Sequence, residues 1–386
     1  MIGIFAAKRT AIGSFQGQFS SYSATDLGGF AIKAAHEASG TQEIDEVFMG
    51  CVLQSGLGQA PARQAVIKAG LKESVPASTI NKVCGSGMQA IIFACNSLRL
   101  GNIKSAIAGG MESMTNSLYG LEKARSGYRF GHGIIIDLML HDGLEDAFAR
   151  NSTGGRCSMG LFADDTALTY SFSREQQEDF AKKTYEKALF AQNSGFFNNE
   201  MVQIVYKDKK GESIIDQDEQ INRVKPGKFS ILKSAFRADG TVTAATSSPL
   251  ADGAAALVLS PNKAGAMARI AGYTSFAQGA EIFTTAPIGA IEKLCKQLKW
   301  PITTVDAFEI NEAFAVVPMA AISTLEISKE KVNMWGGACA LGHPIGASGA
   351  RIVVTLLNIM LKNNFKRGIA AACIGGGEAT AIAIEI

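Results

Sequence analysis

Histidine is scarce in this chain, with four among 386 residues. Cysteine is also sparse and odd in number: Cys51, Cys84, Cys95, Cys157, Cys295, Cys339 and Cys373, with no Cys-x-x-Cys pair. Scattered, unpaired thiols in a long chain do not read as a secreted disulfide framework, so a reducing, cytoplasmic setting is expected. No two cysteines stand at zinc-ligand spacing, and no metal site is expected. No uninterrupted apolar run reaches the roughly 20 residues that span a bilayer, so membrane insertion is not expected. At the amino terminus Met1 to Ala7 precede Lys8-Arg9, the reverse of a secretory signal's order, and Ile384-Glu385-Ile386 is no peroxisomal tripeptide. The net charge of +2 leaves no excess of one sign, which excludes nucleic acid or an anionic membrane as the main partner. There is neither a G-x-G-x-x-G nor a phosphate-loop lysine to support nucleotide hydrolysis.

What remains is an ordinary globular composition, 47% apolar and 19% charged, long enough for two or three domains. Residues 26–39 have helical character, capped by Asp26 or Thr25 and ended by Gly40. Val47 to Cys51 reads as a strand. Met88, Ile91, Ile92, Cys95 and Leu98 fall at helical spacing up to Gly101-Asn102, and Ser105 to Ala108 reads as a buried strand running into a Gly109-Gly110 turn. The order returns near the carboxyl end. Ser348-Gly349 opens a helix ended by Asn363-Asn364, and Gly368 to Cys373 is a buried strand leading into Gly375-Gly376-Gly377. This alternation argues an α/β architecture with an internal duplication. The middle, from Ser117 to Thr243, is more polar and reads as an insertion covering the site. Within it Ser173-Arg174-Glu175-Gln176 is a capping box for a helix running to about Gly195, and Lys207 to Glu212 an exposed turn between strands.

Three glycine-framed segments carry reactive groups. In Asn81-Lys82-Val83-Cys84-Gly85-Ser86-Gly87 the thiol sits at a helix start, where the dipole and free amides favour thiolate, and the glycines are expected to let an acyl group approach. In Gly342-His343-Pro344-Ile345-Gly346 the imidazole has the setting of a positioned base. Cys373 closes a buried strand, and strand ends are where sites gather in α/β folds. A fourth segment, Asn311-Glu312-Ala313-Phe314, offers an amide that can donate to a water or an oxyanion.

Taken in chain order, Asn81 to Met88, Asn311 to Phe314, Gly342 to Arg351 and Cys373 to Gly377 resemble the thiolase family, over nearly the whole chain from Arg9-Thr10 to the final glycine run. The resemblance implies two similar βαβαβαββ halves forming a five-layered αβαβα core with an inserted loop domain. The expected division is 1–116 with 244–265, a loop domain 117–243, and 266–386. It implies an acetyl-CoA C-acyltransferase that makes or cleaves short-chain 3-ketoacyl-CoA through an acyl-cysteine. Cys84 would be the nucleophile, His343 its base, and Cys373 the acid/base at the α-carbon. Asn311 would hold a water that completes one oxyanion hole with His343, while the amides of Cys84 and Gly375 would form the other. Ser248, Met159, Ala244, Phe236, Ala313, Phe314 and Arg223 would contact the acyl-CoA. Coenzyme A enters as substrate, no cofactor is held permanently, and a homodimer or homotetramer is expected, with Tyr119 to Gly133 as a tetramer-forming loop. The chain departs from the pattern at Ser158 (histidine in acetoacetyl-CoA-specific members), Phe283, Thr246, Trp335 and Glu378-Ala379. Ser158 and Phe283 argue against strict acetoacetyl-CoA specificity. A malonyl-decarboxylating ketosynthase and a non-catalytic acyl-CoA or lipid carrier on the same scaffold are the rival readings.

Overall fold

Small and branched apolar residues dominate the central strands, and they do so because helices press on both sides of them. Ala251–Ser260 reads Ala-Asp-Gly-Ala-Ala-Ala-Leu-Val-Leu-Ser and is buried along nearly its full length. The computed structural model describes residues 1–386 except 42, 151–153, 209–210 and 263.

The amino-terminal half runs β1 (Ile2–Arg9), α1 (Ala24–Ser39), β2 (Glu46–Gly50), α2 (Pro61–Lys68), β3 (Ala77–Ile80), α3 (Ser86–Leu100), β4 (Ala106–Ser113) and, after a long excursion, β5 (Ala251–Ser260). The carboxyl-terminal half runs β6 (Ala268–Ala277), α4 (Ala286–Leu298), β7 (Ala307–Ile310), α5 (Val316–Leu325), α6 (Ile345–Asn363), β8 (Arg367–Ile374) and β9 (Glu378–Glu385).

The two halves pair their strands alike. β3 lies parallel to β2 and β2 to β4, with β4, β5 and β1 antiparallel in turn. Likewise Val332 bridges Phe308 in parallel, β7 lies parallel to β8, and β8, β9 and β6 follow antiparallel. β1 and β6 join the halves through Ile2↔Ile270, Gly3↔Arg269 and Ile4↔Ala268. Helices α1 and α2 cover the outer face of the first half, α4 and α5 that of the second, and α3 and α6 pack between them. The result is the five-layered αβαβα core of the thiolase fold.

Helix α6 is long and apolar enough to cross a membrane by length and composition alone, yet 89% of that stretch is enclosed by protein. It is the central layer, touching strands of both halves.

Several local readings shift. The cap of α1 is Ser23, which accepts from the Asp26 amide while Asp26 accepts from the Ser23 amide, a reciprocal pair that starts the helix earlier than expected. Helix α6 starts at Ile345, not Ser348, because Pro344 supplies a pre-set φ at its N-cap. Gly109-Gly110 is not a turn: β4 runs straight through it to Ser113. A Cβ on Gly110 would lie 2.1 Å from the Gly346 carbonyl oxygen, so glycine is there to let α6 lie against the strand.

Between β4 and β5 the excursion holds helices Met159–Thr169 and Arg174–Asn193, the latter opened by the Ser173 capping box, and three two-stranded ribbons. One ribbon pairs Ile204–Asp208 with Gly211–Ile215; Lys209 and Lys210 of its expected turn lie outside the described residues. Arg9 pins this excursion to β1 through buried ion pairs to Glu200 at 2.5 Å and Asp218 at 2.7 Å.

Candidate active site

Cys84 sits on a tight turn between β3 and α3, tied by its own neighbours. The Ser86 hydroxyl accepts from the Lys82 amide at 2.8 Å and donates to the Val83 carbonyl at 2.6 Å, while Asn81 Oδ1 accepts from the Val83 amide at 3.0 Å. These bonds hold Val83 at φ +46°, a left-handed conformation that a β-branched residue rarely adopts. Val83 and Cys84 both line a cavity. The flanking glycines face protein instead of the cavity. A Cβ on Gly85 would meet Ile374 Cδ1 at 2.4 Å, and one on Gly87 the Ala350 amide nitrogen at 2.8 Å. They admit β8 and α6 to the turn, so acyl access is not their role.

His343 is placed by the same crossing. Its amide donates to the Pro249 carbonyl at 3.0 Å, and Gly342, at φ +108°, brings the chain against Ala251. The residue is 7% exposed. Nδ1 lies 2.5 Å from Ser348 Oγ, which lies 2.9 Å from the Pro344 carbonyl. The serine proton is best used on that carbonyl, so Ser348 accepts from Nδ1–H. This assigns the tautomer and makes Nε2 the acceptor, facing the Asn311 side-chain amide. Asn311 Nδ2 stands 3.4 Å from Nε2, and Asn311 Oδ1 is buried with no protein partner. Burial and the nearby Arg351 cation push the imidazole down to about 3, so the ring is neutral at ordinary pH.

Asn311 follows β7 and is held beside β8 by its amide, which donates to the Ala371 carbonyl at 2.9 Å. Its neighbour Glu312 is fully buried and accepts from Thr184 Oγ1 at 2.9 Å, Asn333 Nδ2 at 2.7 Å and the Cys339 amide at 3.1 Å. The turn is therefore fixed from beneath.

Cys373, near the end of β8, is completely buried. Its thiol is pushed well up by burial and then by the sulfur of Cys84, with the Ala313 amide partly offsetting. Cys84 is half-buried, and its thiol is pushed up to about 11 because desolvation outweighs the Gly375 amide and its own amide. The expected thiolate preference at the helix start is thus overridden by burial. Thiol and imidazole are both neutral at ordinary pH.

The cavity encloses about 750 Å³ and is lined by Cys84, His343, Gly375, Ser248, Met159, Phe236, Ala313 and Phe314. Phe236 and Phe283 each meet Phe314 edge-on, at centroid distances of 5.8 and 6.5 Å, making an aromatic wall. Of the remaining residues singled out in the sequence, Ala244 is exposed and does not line the cavity, and Arg223 is engaged with Glu219 at 2.5 Å away from it.

Family models of the thiolase N-terminal domain and the thiolase C-terminal domain match residues 2–263 and 264–386. The chain belongs to the thiolase family. This thiolase is 43% identical to acetyl-CoA acetyltransferase 2 of Arabidopsis thaliana, with 99% of this chain and 96% of that one covered. It is also 43% identical to a probable acetyl-CoA acyltransferase of Staphylococcus aureus, over 98% of both chains. Among solved structures, the acetyl-CoA acetyltransferase of Bacillus anthracis superposes with a TM-score of 0.95 at 36% identity, covering 100% of this chain and 98% of that one. The Acat5 thiolase of Ascaris suum, solved in complex with coenzyme A, does so at 0.92 and 38%, covering 100% and 99%.

The departures of this thiolase fall in two places. Ser158, Phe283 and Glu378 line the cavity. Thr246 and Trp335 do not: Thr246 accepts from the Thr243 amide at 2.8 Å, and Trp335 packs on Phe196 and Phe197. Ser348 escaped the sequence reading as a site residue because it was read only as a helix start. Its position one turn beyond His343 was the available signal. Glu112 was also missed. Fully buried, it accepts from the Val52, Leu53 and Gly346 amides at 3.2, 3.1 and 2.8 Å, and burial raises its carboxyl to about 7.

Proposed function

We propose that this acyltransferase catalyses the reversible Claisen condensation and thiolysis of short-chain 3-ketoacyl-CoA, with Cys84 acylated in turn. The observation that carries the reading is that Cys84 and His343 line one cavity, with the buried Cys373 thiol close enough to Cys84 to interact with it electrostatically.

In the cleavage direction the Cys84 proton passes to His343 Nε2 as sulfur attacks the 3-keto carbon. Transfer is coupled to attack, because a thiol near 11 and an imidazole near 3 do not exchange a proton spontaneously. The new Nε2–H then faces the thioester oxygen, which becomes the enolate oxygen. Asn311 Oδ1, buried without a protein partner, suits a bound water that donates alongside it. The C2–C3 bond breaks, its electron pair goes to the acetyl-CoA enolate, and C2 takes the proton of Cys373. The amides of Cys84 and Gly375, which point at the sulfur, hold the oxyanion that forms on the attacked 3-keto carbon. Free CoA next gives its thiol proton to Cys373 and attacks the acyl carbon. Cys84 departs and recovers its proton from His343. Synthesis reverses these steps.

Ser248, Met159, Phe236, Ala313 and Phe314 are assigned to the pantetheine and acyl chain, and the excursion 117–243 to covering them. Ser158 in place of a histidine, beside the aromatic wall, suits acyl groups beyond acetoacetyl. Seven free cysteines suit a reducing cytoplasm. A homo-oligomer is supported by the unpaired edge of β3 and by exposed Leu121, Tyr128 and Phe130 in the Tyr119–Gly133 segment.

The test is thiolysis of acetoacetyl-CoA and 3-ketohexanoyl-CoA, read with intact-protein mass after exposure to each acyl-CoA. The wild type should gain one acyl group and Cys84→Ala none, with at least a 10³-fold loss of rate. Equal turnover by the two proteins would remove the reading. Carbon dioxide release from malonyl-CoA would favour a decarboxylating enzyme instead.

A further inference from the structure

Two turns meet over the Cys84 sulfur, and they come from opposite halves of the molecule. One is the strained Asn81–Cys84 turn. The other is Gly375-Gly376-Gly377, whose first amide points at the sulfur and whose next two residues stand at φ +91° and +85°. Three consecutive glycines have little stiffness of their own. Glu378, the residue that follows them, pairs across the sheet with Ile374 and Ala277. Its carboxylate also forms an ion pair with Lys82, two residues before the nucleophile. Lys82 and Glu378 are 24% and 38% exposed at their side chains, and Glu378 lines the cavity.

We propose that the Lys82–Glu378 pair is an electrostatic strap that sets the spacing between the Cys84 sulfur and the Gly375 amide. Lys82 and Glu378 are positioning residues, and their catalytic effect rests on the acyl-cysteine reading above. A partly exposed ion pair adds little to global stability. Its leverage lies in geometry, since a misplacement on the order of 1 Å near a reacting centre costs roughly 10² in rate. The strap also gives a reason for the glutamate that sets this chain apart: it closes a charge pair that an apolar residue at that position cannot.

The test uses Glu378→Gln, Lys82→Met and the exchanged double variant Lys82→Glu/Glu378→Lys in the full-length protein. Each single variant should lose about 10- to 100-fold in kcat per acylatable Cys84, with KM within about 2-fold. Tm should stay within about 2 °C. Amide hydrogen exchange across 375–378 in the substrate-free protein should accelerate in both single variants. The exchanged variant should recover at least half of each loss on a logarithmic scale. Unchanged exchange at the glycine turn, a loss confined to KM, or no recovery on charge exchange would each overturn the strap. A wild type that is never acylated would instead overturn the functional reading, and the hydrogen-exchange comparison would still decide the strap.

Discussion

At the scale of single residues, the site is governed by burial more than by formal charge. His343 titrates near 3 in the fold and near 6.5 in an unfolded chain. Between those values the unfolded chain binds a proton that the native protein does not, so the contribution of this residue to stability falls as pH drops below 6.5. Buried Glu112 and Glu309, raised to about 7 and about 8, act in the opposite sense, with stability lost as pH rises from about 4.5. Comparing wild type with His343→Gln cancels those carboxyl contributions. Thermal scans at pH 7 and pH 5 should show the wild type losing more Tm than the variant. An equal or smaller loss would mean the imidazole is protonated in the native cleft. The same depressed value predicts no acid limb from His343 in kcat/KM between pH 8 and 5.

At the scale of elements, helix α6 organises the site because glycine backbones let it approach. It lies against β4 at Gly110 and against α3 at Gly87, and its first turn carries Ser348 beneath His343. Gly110→Ala should cost at least 2–3 kcal/mol in denaturant unfolding, since backbone would have to move to clear the new methyl group. Gly227→Ala, where the added carbon meets nothing within 4 Å, should stay within about 0.5 kcal/mol. The sequence showed α6 and β4 as elements but misplaced one edge of each: α6 starts directly after Pro344, and β4 runs on through its glycine pair. Glycine pairs read locally as turns, whereas Gly109-Gly110 answers a tertiary demand, a helix arriving from more than two hundred residues away. Cys84, His343 and Cys373 stood out as candidates in the sequence because glycine framing is local. The tautomer set by Ser348 and the strain at Val83 were not, because each depends on hydrogen bonds that only the folded chain creates.

At the scale of the whole molecule, the duplication read from recurring strand–helix order is seen as matched pairing in the two halves. The excursion between β4 and β5 is held to the first strand by Arg9, Glu200 and Asp218, all fully buried. Arg9→Met should destabilise the protein by about 3–5 kcal/mol, because it leaves two carboxylates buried without their cation. The check is urea unfolding with limited proteolysis, which should show earlier cleavage within 117–243. A shift below 1 kcal/mol would mean the cluster is paired with water instead.

The central placement of α6 also bears on how the chain becomes reactive. The thiol belongs to one half and the imidazole to the other, and the helix that delivers the imidazole completes the interior of both. A nascent chain that has made only its first half therefore carries a sulfur with no proton acceptor. The imidazole, the Gly375 amide that points at the sulfur and the neighbouring Cys373 thiol all arrive with the last third of the polypeptide.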